Sequence, residues 1–212
     1  MSEAVVALRR IGYNEQEGLA HAQDVLAPAD EWAPMAWLVG AHGGAGVTTL
    51  AHTLAPFGDA GQTWPVMDEN PWCVVVARAT REGVEAAHNA VLQAQAAKAG
   101  HCRVVGVMLV EAAPDFMPET VEQKITVLRK VVPNIWHVPF VEEWAAALRD
   151  ELPLWSPLNE ETPAEPEPGR KARVRLPKKK PKGPHPLEEV PQPIKTIGYD
   201  LVDRVREANR FI

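Results

Sequence analysis

Residues 37–50, Trp37-Leu38-Val39-Gly40-Ala41-His42-Gly43-Gly44-Ala45-Gly46-Val47-Thr48-Thr49-Leu50, constrain the fold more than any other stretch of the chain. Four glycines fall between Gly40 and Gly46, behind an apolar run and ahead of two threonines. Apolar run, glycine cluster and threonine pair predict a buried strand, a tight turn and the start of a helix. Glycines let the backbone fold back and bring its N–H groups close to a bound anion. The first turn of a helix adds unpaired N–H groups and a partial positive charge. The stretch therefore predicts a turn that holds a phosphate.

The order of residues is close to the phosphate-binding loop G-x-x-x-x-G-K-[ST]. Gly46 fills the second glycine position and Thr48 the hydroxyl position, while Ala41 stands for the first glycine and Val47 for the lysine. That lysine reaches the β- and γ-phosphates and offsets charge in the transition state. Valine does neither, so the backbone cradle is expected to outlast the catalysis. The candidate phosphate-binding residues are Gly43, Gly44, Ala45, Gly46, Val47, Thr48 and Thr49. No catalytic residue and no metal ligand is assigned. His42 is read either as a phosphate ligand or, more plainly, as a histidine facing its own loop.

The block from His42 to Thr49 resembles the deviant loop of the ParA/MinD partitioning ATPases, K-G-G-x-G-K-T-T, with His42 and Val47 in place of both lysines. More closely, residues 35–150 resemble an actinobacterial family of uncharacterised P-loop-like proteins. The matching elements are the glycine-rich block, Gln62-Thr63-Trp64-Pro65, Val74-Val75-Val76-Ala77-Arg78 and Ile135-Trp136-His137-Val138-Pro139-Phe140-Val141-Glu142-Glu143-Trp144. The resemblance implies a reduced ParA/MinD-like core in a bacterial, phage or mobile-element setting. ParA/MinD proteins place a strand ending in aspartate between the loop helix and the strand matching residues 74–77. Residues 57–71 offer Asp59, Asp68 and Glu69 but no apolar strand leading into an aspartate. The base-recognition asparagine expected after Val110 is Glu111.

The rest of the chain alternates strands and helices. A helix is expected over residues 2–10. The spacing Asn14-Glu15-Gln16-Glu17 reads as a capping box opening a helix to about Leu26. Strands are expected at Met35–Val39, Trp72–Ala77, Val104–Val110 and Ile135–Val138. Helices are expected at Thr48–Leu54, Val84–Ala97, Pro118–Val131 and Val141–Asp150. This alternation predicts an α/β fold: a mostly parallel sheet with helices on both faces. The expected units are an N-terminal helical arm (1–33), a degenerate P-loop α/β domain (34–158), a Pro- and charge-rich linker (159–193) and a C-terminal amphipathic helix (194–212).

Residues 159–193 hold nine of the twenty prolines and few large apolar side chains, a composition that cannot build a core. They carry eight basic and six acidic groups, and residues 194–212 four and three. With a net charge of −6 overall, residues 1–158 are left at −9. An acidic body repels nucleic acid, so polyanion contact would fall to Arg170, Lys171, Arg173, Arg175, Lys178, Lys179, Lys180 and Lys182. The alternatives for that run are a solvated linker and an anionic membrane surface. Ile197, Leu201, Val205 and Phe211 fall on one face of the tail helix, fitted to dock on its own body or a partner. Trp144 and Trp155 are candidate receiving surface. Cys73 and Cys102 are expected to be buried, reduced thiols. No run of about 18 apolar residues exists, so no transmembrane helix is expected. With no basic-then-apolar start, the expected compartment is the cytoplasm.

Three functions follow as expectations. The first is a non-catalytic, pseudo-ATPase adaptor of a bacterial or phage assembly, docking protein partners through its tail, with no cofactor or weakly bound ATP/ADP and magnesium. The second is a ParA/MinD-like NTPase whose nucleotide state controls dimerisation, its partner then being a second copy of itself in a homo-oligomer. The third is a DNA tether working through residues 170–182.

Overall fold

The computed structural model describes residues 14–27, 33–114, 117–159 and 184–210. The main sheet has five strands: β2 (Ala36–Gly40), β3 (Phe57–Asp59), β5 (Trp72–Arg78), β6 (Arg103–Val110) and β7 (Ile135–Val138). They lie in the order β3-β2-β5-β6-β7, and every neighbouring pair is parallel. A two-residue ladder joins β1 (Ala20–His21) to β4 (Thr63–Trp64). The helices are α1 (Val47–Thr53), α2 (Arg81–Gln95), α3 (Glu119–Leu128), α4 (Glu142–Ala146) and α5 (Gln192–Asn209). The expected α/β class is the observed one.

Strand alternation sorts side chains into two cores. Ala36, Leu38, Val74, Val76 and Met108 face α1 and α5; Trp37, Val39, Val75, Ala77 and Leu109 face α2 and α3. With both faces covered, β5 reads as an unbroken apolar run, as a parallel strand between two helical layers must. Thr80 caps α2 by accepting the Gly83 N–H at 3.1 Å.

Helix α5 is part of the sheet's own covering. Ile194, Leu201 and Val205 are fully buried against the sheet, and Ile197 nearly so. Four tryptophans fix the segment. Trp136 Nε1 donates to Asp200 at 2.7 Å, Trp72 Nε1 to Asn209 at 2.6 Å and Trp144 Nε1 to the Pro186 carbonyl at 2.8 Å. Trp155 meets Tyr199 edge to face, with ring centroids 5.1 Å apart. Gly198 is required there, because a Cβ would stand 2.6 Å from the Trp155 ring. The expected docking face thus docks in cis, and Ile197, Leu201 and Val205 are closed to a partner. Phe211 lies outside the described residues.

Several expectations are corrected. The expected helix from Asn14 to Leu26 is a 3₁₀ turn at Glu15–Glu17 followed by β1. Side chains of α2 decide this. The Asn89 amide takes both the N–H and the carbonyl of Asn14, and the Gln93 amide takes those of Leu19. The expected helix over 141–150 ends at Ala146, and Arg149–Glu151 forms a 3₁₀ turn. A strand ending in aspartate does exist between α1 and β5: β3 runs into Asp59. Three residues are too few to show a pattern, and pairing with β2 alone makes them a strand. The expected helix over 2–10 and the basic run 170–182 lie outside the described residues.

Candidate functional site

Chain order places the site. From β2 the chain moves out to the edge strand β3, then crosses back to β5, β6 and β7. The connections leaving β2 and β5 therefore run to opposite sides, and a crevice opens beyond their carboxyl ends, where ligands of open α/β sheets bind. The glycine-rich loop 41–46 leaves β2 at that point, and Arg78 ends β5 beside it.

Two glycines in the left-handed region shape the loop: Gly44 has φ 72° and Gly46 φ 98°. A side chain strains such a backbone. The turn is pinned at its base by Ala41 N–H to the Val76 carbonyl at 2.9 Å and Gly40 N–H to the Gly61 carbonyl at 2.7 Å. A Cβ on Gly40 would stand 2.9 Å from that Gly61 oxygen. Among the described residues, no protein acceptor meets the N–H groups of Gly43, Gly44, Ala45, Gly46, Val47, Thr48 or Thr49. Helix α1 has only seven residues, so its dipole is small.

Arg78, Thr48 and His42 line the cavity, and Asp59 and Glu111 brace it from beside. Arg78 Nε donates to the Gly44 carbonyl at 3.3 Å, and Arg78 Nη1 to the Glu111 carbonyl at 3.0 Å. Thr48 Oγ1 donates to Asp59 Oδ2 at 2.7 Å, while Asp59 Oδ1 accepts the Gly61 N–H at 2.8 Å. His42 is turned to its own loop. Its Nε2 accepts the Arg78 N–H at 3.0 Å, which leaves Nδ1 to donate to the Gly43 carbonyl at 2.8 Å. Its lone pair is spent on structure. Glu111 is also a brace, its carboxylate accepting the Phe140 N–H at 3.2 Å.

The cleft there measures about 350 Å³, opens to the surface, and is lined by all the loop candidates except Gly43, together with His42, Gly61, Gln62 and Arg78. Ligand pockets begin near 300 Å³. A smaller apolar slot of about 90 Å³ continues from it past Gly46, Thr49 and Arg78 to Val110, Val138, Phe140 and Trp144. Thr48 and Asp59 are hard oxygen donors of the kind magnesium takes. Among the described residues no three His, Cys, Asp or Glu side chains cluster as metal ligands. A divalent ion here would need the ligand's phosphates and water for the rest of its shell.

The structure thus brings together Gly44, Ala45, Gly46, Val47, Thr48 and Thr49 around one cavity, with Gly43 beside it. It adds Asp59 and Arg78, which sequence reasoning did not place in the site. Their signal was positional: each ends a strand hydrogen-bonded to the strand that carries the loop.

Fold and site define a parallel α/β protein with a glycine-rich turn at the switch point of its sheet. Within that class the chain belongs to a family of unknown function, DUF6668, whose model matches residues 34–152. The match spans the whole five-stranded sheet and stops short of α5. No curated protein and no solved structure matches the chain. Among the described residues, no helix is long and apolar enough to cross a membrane.

Proposed function

We propose that the loop 43–49 binds the phosphates of a nucleotide of the ATP/ADP class without efficient hydrolysis, and that the protein works as a ligand-binding adaptor rather than an NTPase. The observation that carries this reading is the run of backbone N–H groups from Gly43 to Thr49 with no acceptor among the described residues, Gly44 to Thr49 of which line one cavity. An anion supplies the acceptors those groups lack. Arg78 is the cationic side chain among the cavity's lining residues and supports charge balance in place of the lysine replaced by Val47. Slow or absent turnover follows from that replacement, because Arg78 is tied to two carbonyls and Val47 carries no charge.

Calorimetry with ATP or ADP, with and without magnesium, tests the reading. Binding is expected for the intact chain. It should be lost in Gly46→Asp, which puts a carboxylate and a strained backbone where the anion would sit. Phosphate release is expected to stay at the blank rate. Failure of both nucleotides to bind overturns the binding half of the proposal, and turnover overturns the adaptor half.

A further inference from the structure

The second chemically active cluster lies at the opposite end of the sheet, where β5 and β6 begin. Cys73 is the second residue of β5 and pairs with Val104, two residues after Cys102. Both cysteines are free and buried on the same side of the sheet, and the two thiols are near enough that each is the largest influence on the other's ionisation. Cys102 Sγ also lies 3.7 Å from the Pro65 carbonyl and 4.0 Å from His101 Nδ1. The ring of His101 has its tautomer set: Nε2 donates to the Glu69 carbonyl at 2.9 Å, which leaves the Nδ1 lone pair facing Cys102. Cys102, unlike Cys73, also lines a surface cavity of about 180 Å³ between α2 and the 131–133 turn. The arrangement is a thiol with a base beside it, a route from solvent, and a second thiol behind it.

We propose that Cys73 and Cys102 form a redox-active dithiol, with Cys102 the thiol attacked by a hydroperoxide and Cys73 the resolving thiol that converts the product to a disulfide. In the first step His101 Nδ1 takes the Cys102 proton. The thiolate attacks one peroxide oxygen, an S–O bond forms, the O–O bond breaks, and the departing hydroxide or alkoxide takes up the proton. Cys102 is oxidised by two electrons to the sulfenic acid and the peroxide is reduced. In the second step Cys73 sulfur attacks Cys102 sulfur. The S–S bond forms, the S–O bond breaks, and hydroxide leaves as water with the Cys73 proton. The ionisation order agrees with these roles. Cys73, beside Cys102 and deeply buried, titrates well above the usual thiol range, while its own nearness lowers the Cys102 thiol. The nearby charge of Glu69 opposes ionisation of both thiols. The disulfide would tie the starts of β5 and β6 across the α2 crossover and draw Cys102 away from the Pro65 carbonyl.

Intact chain is treated with stoichiometric hydrogen peroxide, quenched by alkylation, and read by peptide mass mapping. The expected product is an intramolecular Cys73–Cys102 link, lighter by two hydrogens, reversed by a thiol reductant and formed faster in the folded chain than in denaturant. Cys73→Ser should stop at a sulfenic acid on Cys102, trapped by a cyclic dione. His101→Asn should slow the reaction about tenfold by removing the base. Because a buried-cysteine variant can fail to fold, the map of the unmodified sequence decides. If oxidation ends on Cys102 without the link, links two chains, or does not occur, the proposal fails.

Discussion

The hydroxyl of Thr48 donates to Asp59 Oδ2 at 2.7 Å, joining the first turn of α1 to the end of the edge strand β3. Thr48 lines the loop cavity and Asp59 accepts from its hydroxyl, so under the proposed function this carboxylate would compete with an anionic ligand and attract its cation. Asp59→Ala is expected to lower stability by about 0.5–1.5 kcal/mol through loss of that hydrogen bond, read by urea denaturation. It should also abolish any magnesium enhancement of nucleotide binding, while metal-free affinity holds or rises as a negative charge leaves the site. A magnesium effect of undiminished size in the variant would remove Asp59 from the metal's surroundings.

Arg78 holds the Gly44 and Glu111 carbonyls and brings a positive charge to a loop that carries no lysine of its own. In Arg78→Ala, nucleotide affinity is expected to fall roughly tenfold to a hundredfold, the range for losing a hydrogen bond to a charged group. Arg78→Lys should recover only part, since an ammonium cannot reproduce the planar fork. Fluorescence titration checks the first effect. A melting curve on the same samples separates it from general loosening of the loop.

Leu201 is fully buried between α5 and the sheet. Leu201→Ala is expected to destabilise the chain by about 2–5 kcal/mol, as core leucine deletions do. Arg206, half exposed beside Asp203, is the control; Arg206→Ala should change stability by less than about 0.5 kcal/mol. Urea denaturation of the two variants distinguishes a structural α5 from a detachable one, for which both would be mild.

His88 lies on α2 with its Nε2 buried and, among the described residues, without a hydrogen-bond partner, in a cavity it shares with Lys124 and Glu85. Burial first, and the Lys124 charge second, hold its pKa below the usual histidine value. Lys124 in turn pairs with Glu85 and holds that carboxyl down. The unfolded chain therefore binds the histidine proton more readily than the folded one. The stability His88 contributes is complete above the unfolded pKa, about 6.5, and is lost as pH falls through the lower folded value. Denaturation midpoints measured from pH 7.5 to 5 should fall, and His88→Leu should flatten the part due to this residue. His137, depressed chiefly by burial and then by Arg129, acts with the same sign.

Legibility in the sequence tracked the length of each signal. Strands β5 and β6 were plain because a parallel strand covered on both faces must be apolar throughout. The loop was plain because left-handed residues such as Gly44 and Gly46 favour glycine. Strand β3 was not plain, since Phe57-Gly58-Asp59 has no periodicity of its own. The segment after Asn14 was misjudged for a related reason: a short capping signal yielded to the Asn89 and Gln93 amides, which lie far away in sequence.

Sequence alone determined the alternation of elements, the parallel sheet and the glycine turn, because each is written in residues next to one another. Tertiary structure alone decided that Asp59 and Arg78 flank the loop, that Cys73 meets Cys102, and that α5 closes the sheet rather than waiting for a partner. Those outcomes depend on strand order and on which buried face remained uncovered, and neither is set by neighbours along the chain.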